Sequence, residues 1–65
     1  MRLQLNGEAR ETAAATLAAL VVELGLDVRK VAIERNLEIV PRSLYDQTPL
    51  ADGDRLEIVH FIGGG

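Results

Sequence analysis

Few residues of this chain could do chemistry with their side chains. There is no cysteine, which removes nucleophilic thiol, persulfide and redox chemistry along with any thiolate metal site. The single histidine, His60, cannot hold a zinc ion alone, and no serine or cysteine nucleophile is set beside it. It receives no role, and no metal site is expected. What remains is the stretch His60-Phe61-Ile62-Gly63-Gly64-Gly65. Three successive glycines give a fold almost nothing, since each loses more backbone entropy on ordering than any other residue and none has a side chain to pack. Composition alone leaves two readings open: a flexible tail without a role, or a main-chain segment kept free of Cβ atoms to enter a narrow channel.

The elements that must position this stretch are legible as patterns. Met1, Leu3 and Leu5 alternate with polar residues as in a strand with one buried face, and Asn6-Gly7 predicts a type I′ turn that returns Glu8 to Thr12 antiparallel to it. Leu17, Leu20, Val21 and Leu24 form the stripe of an amphipathic helix with Thr16 as N-cap, Gly25 as its left-handed terminator and Leu26 folding back on Val21. Val31 to Glu34 and Glu38 to Val40 read as short strands joined by a turn at Arg35-Asn36-Leu37. Pro41 ends the second of them, and Ser43 with Asp46 resembles a cap on one helical turn. Asp52-Gly53-Asp54 is a tight turn before a last strand running from Arg55 to about Ile62. Period 2 places Leu56, Ile58, His60 and Ile62 on its core face, and Arg55, Glu57, Val59 and Phe61 on the other.

Sixty-five residues suffice for one small domain without disulfides, so stability has to come from apolar packing. Residues 1–62 are expected to form that domain, with 63–65 as a flexible C-terminal glycine tail. The expected class is α+β: a mixed sheet of four to five strands with one main helix packed on one face. The last strand cannot hairpin with the first, so it is expected beside strand one, parallel to it and near the sheet centre, which is a β-grasp. A net charge of −3, the absence of basic runs and the presence of only two aromatic residues, Tyr45 and Phe61, argue against nucleic acid as a partner. The longest strongly apolar stretch, Ala13 to Val22, is interrupted by Thr16 and falls well short of the roughly 20 residues that span a membrane. The first residues lack the pattern of a secretory signal, so a cytoplasmic location is expected.

With "LNGEAR" after the first strand, "IVPRS" in the second half and "LADGDRLEIVHFIGGG" at the end, the chain resembles the ThiS family of sulfur carrier proteins of thiamine biosynthesis over nearly its whole length. The resemblance implies an ubiquitin-like β-grasp that is a carrier and not a catalyst. It implies that the carboxylate of Gly65 is adenylated by an ATP-dependent activating enzyme of the ThiF type and converted to a thiocarboxylate. Sulfur from a donor such as a cysteine desulfurase is then delivered to a ThiG-type thiazole synthase. No cofactor is bound by the carrier itself; ATP is used by the activating enzyme. Gly63 and Gly64 are the tail that enters the partner's active site. Sulfur carried on the main chain also makes a cysteine unnecessary. The chain departs from the family pattern at Ala13-Ala14-Ala15, at the third glycine Gly63, and at Leu37, which stands where the pattern has glycine. Leu37 predicts a second hairpin turn that differs in type or is looser.

Val59 and Phe61, on the face away from the core and beside the tail, form the hypothesised docking patch for the activating enzyme and thiazole synthase. The alternative for Phe61 is that it covers a neighbouring loop. Arg55 and Glu57 read as a solvated strand face, and Arg42 as part of local loop structure. Three other functions share these features: a sulfur carrier for molybdopterin or tRNA thiolation, a protein modifier, and a β-grasp interaction module that is never activated. A single lysine, Lys30, excludes chains of the modifier linked through several lysines.

Overall fold

The computed structural model describes residues 1–62. The alternation at the start of the chain becomes strand β1 (Arg2–Leu5), antiparallel to β2 (Glu8–Glu11), with Leu3 buried between sheet and helix. The turn between them places Asn6 and Gly7 at φ 51° and 83°, as a type I′ turn requires.

Helix α1 (Leu17–Glu23) begins where the Thr16 hydroxyl accepts from the amide of Ala19 at 3.2 Å. It ends in a Schellman motif: Leu26 N–H donates to the Val21 carbonyl at 3.1 Å and Gly25 N–H to that of Val22 at 3.0 Å, with Gly25 at φ 74°. Leu17, Leu20 and Val21 are at most 1% exposed. Burying each stabilises the fold by about 1.5–3 kcal/mol before entropy is counted. The stripe packs on Leu3, Val31, Ile33, Leu56 and Ile58 of the sheet, and Tyr45 and Leu50 complete the core.

Strands β3 (Val31–Arg35) and β4 (Glu38–Val40) pair antiparallel, and β5 (Arg55–His60) completes a five-stranded sheet in the order β2-β1-β5-β3-β4. β5 runs parallel to β1 and antiparallel to β3, so the last strand in chain order is the central one. This is the mixed sheet with one main helix on one face that the sequence predicts, in the β-grasp arrangement.

Four local expectations are corrected. The second hairpin turn is of the same kind as the first, because Asn36 and Leu37 both have positive φ, 50° and 72°, and the Asn36 side chain bonded to Arg55 and Asp54 holds the turn without a glycine. Ser43 caps nothing: the 3₁₀ helix Arg42–Gln47 starts after Pro41 and has no side-chain cap, since Ser43 already lies inside its first turn. The last strand ends at His60, not near Ile62. His60 and Ile62 are exposed although they share parity with buried Leu56 and Ile58. The reason is length: seven helical residues cover about 10 Å, whereas six strand residues run about 20 Å, so α1 shields only the first half of β5. A 3₁₀ turn, Val28–Lys30, appears where none is predicted.

Candidate functional site

Strand β5 and the two residues after it, Phe61 and Ile62, lead in sequence to residues 63–65, and three hydrogen-bonding devices fix the strand at its start, middle and end. At its start, Asn36 accepts from Arg55 N–H at 2.9 Å through Oδ1 and donates through Nδ2 to Asp54 Oδ1 at 3.1 Å. At its middle, Asn6 accepts from Ile58 N–H at 2.8 Å and donates to the Ile58 carbonyl at 3.3 Å, so a side-chain amide continues the ladder where β1 has already turned away. At its end, Phe61 N–H donates to the Lys30 carbonyl at 2.7 Å. That carbonyl is aimed by the 3₁₀ turn, whose cap is the Asp27 carboxylate accepting from Arg29 N–H at 2.9 Å. The same carboxylate pairs with the Arg29 guanidinium, and these hydrogen bonds hold the Asp27 carboxyl down to about 2.

Asp54 anchors the other end. It is 6% exposed, accepts from Ala51 N–H at 2.8 Å and pairs with Arg35 Nε at 2.9 Å. Burial pushes its carboxyl up, but the hydrogen bonds from Ala51, Asn36 and Arg35, together with the Arg35 charge, outweigh that and leave it below the usual aspartate range.

Val59 and Phe61 are exposed, 57% and 50%, as their place on the face away from α1 requires. The structure does not gather them into one depression. Val59 lines a shallow concavity of about 210 Å³ on the open face of the sheet, with Ala32, Ile33, Glu34, Ile39 and Glu57; Phe61 stands outside it, just beyond the strand. Ile39, 77% exposed on the edge strand, is a member of this patch that sequence reasoning missed. Its signal was present, because Ile39 and Val40 are successive apolar residues in a short strand and only one of them can face the core. His60 is exposed and opposite Val31, with no polar partner among the described residues. Gly63, Gly64 and Gly65, the residues expected to enter a partner and to be modified, lie outside the described residues. Among the described residues no three His, Asp or Glu side chains are grouped to hold a metal ion, and no helix is long and apolar enough to cross a membrane.

The model of the ThiS family matches residues 3–65. The sulfur carrier protein ThiS of Bacillus subtilis is 40% identical, over 97% of this chain and 98% of that protein. A thiazole synthase of Paramagnetospirillum magneticum is 62% identical over the whole chain. The chain spans 20% of the length of that protein and 20% of a thiazole synthase of Magnetococcus marinus. Among solved structures, the thiamine biosynthesis protein (ThiS) from Geobacter metallireducens superposes over 100% of both chains with a TM-score of 0.82 at 32% identity.

Proposed function

The chain belongs to the ThiS family, and from that membership we propose that it is a sulfur carrier of thiamine biosynthesis, a co-substrate of other enzymes and not a catalyst. In this reading the carboxylate of Gly65 attacks the α-phosphorus of ATP on a ThiF-type activating enzyme, and pyrophosphate leaves to give an acyl adenylate. A free carboxylate is a poor acyl electrophile, whereas the mixed anhydride with AMP has a good leaving group, so the terminal sulfur of a persulfide supplied through a donor such as a cysteine desulfurase can displace AMP, and a second thiol that cleaves the acyl disulfide so formed is oxidised to a disulfide as the thiocarboxylate is released. The resulting thiocarboxylate gives its sulfur to a ThiG-type thiazole synthase as the thiazole ring is built. The reducing cytoplasm suits such a group.

Gly63 and Gly64 serve as a side-chain-free lead that lets the acyl carbon reach a recessed active site. Val59 and Phe61 supply docking area on the partners beside that lead. Their exposure supports this role for both, and the concavity at Val59 supports it further. The observation that carries the proposal is the extent of the family match, which runs through the three glycines.

The test is to incubate the protein with ATP, cysteine, a cysteine desulfurase and the activating enzyme of the same organism, then measure intact mass and fragment the C-terminus. Exchange of one oxygen for sulfur is expected on Gly65 and only with ATP; fragmentation is needed because oxidation of Met1 gives nearly the same nominal mass change. An unmodified Gly65 beside an activating enzyme that works on another carrier would reject the reading. In parallel, Phe61→Ala is expected to stay folded and bind the activating enzyme more weakly; unchanged affinity would remove Phe61 from the docking surface.

A further inference from the structure

Asn6-Gly7 is more than a turn signal, because it is also the dipeptide in which an asparagine amide is most open to attack by its own chain. The reaction requires the backbone nitrogen of the following residue to reach the asparagine Cγ. A Cβ on that residue crowds the approach, and glycine has none. The fold supplies an internal comparison: Asn36-Leu37 has nearly the same backbone, φ 50° and 72° against 51° and 83°, but Leu37 sets a branched side chain beside the attacking nitrogen. Chemistry therefore separates two turns that geometry does not.

The folded chain restrains the reactive group. Asn6 is at the surface, yet both polar atoms of its side chain are engaged: Oδ1 accepts from Ile58 N–H at 2.8 Å, and Nδ2, the nitrogen that would leave, donates to the Ile58 carbonyl at 3.3 Å. Its backbone N–H donates to the Leu56 carbonyl at 2.9 Å. Swinging Cγ onto the Gly7 nitrogen breaks both side-chain bonds, which happens only when the turn opens from β5 as a local fluctuation.

We propose that Asn6 is a modification site, a spontaneous deamidation site that its clamp on β5 holds in check, and that Asn36 is not one. The Gly7 nitrogen bonds to Asn6 Cγ and gives its proton to water; the Cγ–Nδ2 bond breaks and ammonia leaves, closing a succinimide. Water then opens the ring at either carbonyl carbon. The product is aspartate or, with the main chain rerouted through the side-chain carbon, isoaspartate. In aspartate a carboxylate oxygen replaces Nδ2, so the Ile58 carbonyl loses its donor and faces an acceptor. In isoaspartate the added main-chain carbon also displaces the turn. Either way the middle of β5 loses its hold on the β1 side. This chemistry needs no activation of Gly65 and stands apart from the carrier reading.

The experiment incubates the full chain at mildly alkaline pH, folded in buffer and unfolded in guanidinium chloride at matched ionic strength, and locates the amide-to-acid mass gain by fragmentation. In the unfolded chain Asn6 is expected to react about tenfold or more faster than Asn36. Folding is expected to slow Asn6 by about tenfold or more. In N6D, which reproduces the aspartate product, the Ile58 amide is expected to exchange its hydrogen about tenfold faster than in the wild type, while the Arg55 amide, held by Asn36, exchanges as before. Equal rates at Asn6 and Asn36 in the unfolded chain would overturn the choice of site. Equal rates at Asn6 in the folded and unfolded chains would overturn the restraint by the clamp, and unchanged exchange at Ile58 in N6D would overturn the effect on β5. The first two comparisons need no variant, so they decide the matter even if N6D does not fold.

Discussion

The two hairpin turns have nearly the same backbone and different chemistry. Asn6-Gly7 and Asn36-Leu37 each put two successive residues at positive φ, and in each the asparagine side chain reaches across to β5. Glycine accepts this geometry freely, whereas Leu37 brings a Cβ into the left-handed region at a cost of about 1–2 kcal/mol. What differs is the support. Asn6 works alone on the backbone of Ile58, while Asn36 belongs to a group in which Asp54 also engages Arg35 and Ala51. A turn conformation can thus be imposed from outside, by side chains that fix its flanks, when its own residues would not choose it.

The comparison breaks most severely at Asp54. Asp54→Ala removes the acceptor for Arg35, Asn36 and the Ala51 amide and is expected to cost about 3 kcal/mol by urea unfolding, out of a total near 3–10 kcal/mol for a domain of this size. Its pH dependence has a definite sign. The carboxyl titrates lower in the fold than in the unfolded chain, so its contribution is fully present above the unfolded value near 3.9 and is lost as pH falls through the lower folded value. Wild-type stability should therefore fall below about pH 4, and the fall should be shallower in Asp54→Ala.

Gly7→Leu makes the first turn a copy of the second without its support, and is expected to lower stability by about 1–2 kcal/mol. Asn6→Gly keeps positive φ available and removes only the amide bonds to Ile58, for a loss of about 1 kcal/mol. The smallest effect is the reverse exchange: Leu37→Gly should raise the unfolding free energy by about 0.5–1 kcal/mol, because relieved strain exceeds the added chain entropy. If Leu37→Gly destabilises instead, the strain assigned to that turn is wrong.

Sequence reading succeeds where the cause is local. Leu17, Leu20 and Val21 declare their helix by spacing, Thr16 and Gly25 declare its ends, and Asn6-Gly7 declares its turn. It fails where the cause is distant. Nothing near Asp54 in the chain announces partners at Arg35 and Asn36, 19 and 18 residues away, and strand parity cannot say how far along β5 the helix reaches, which is why His60 and Ile62 are exposed. The candidate site divides in the same way. Val59 and Phe61 follow from alternation, but the partnership of Val59 with Ile39, Glu34 and Glu57 depends on the register of three strands. The role expected of Gly65 comes from family membership.

The central position of β5 has a consequence for how the molecule is made. The β1–β2 hairpin and α1 can form as soon as they are synthesised, but both sheet halves close only on residues 55–60, through contacts such as Asn6 with Ile58, 52 positions apart. Such long-range closure is slow compared with local folding, and a nascent chain lacking its final strand holds two half-sheets with open edges. Folding is therefore completed only when the segment adjoining the three glycines has been produced, so the open face of the sheet, which carries Val59 and Ile39, is assembled after the hairpin and the helix.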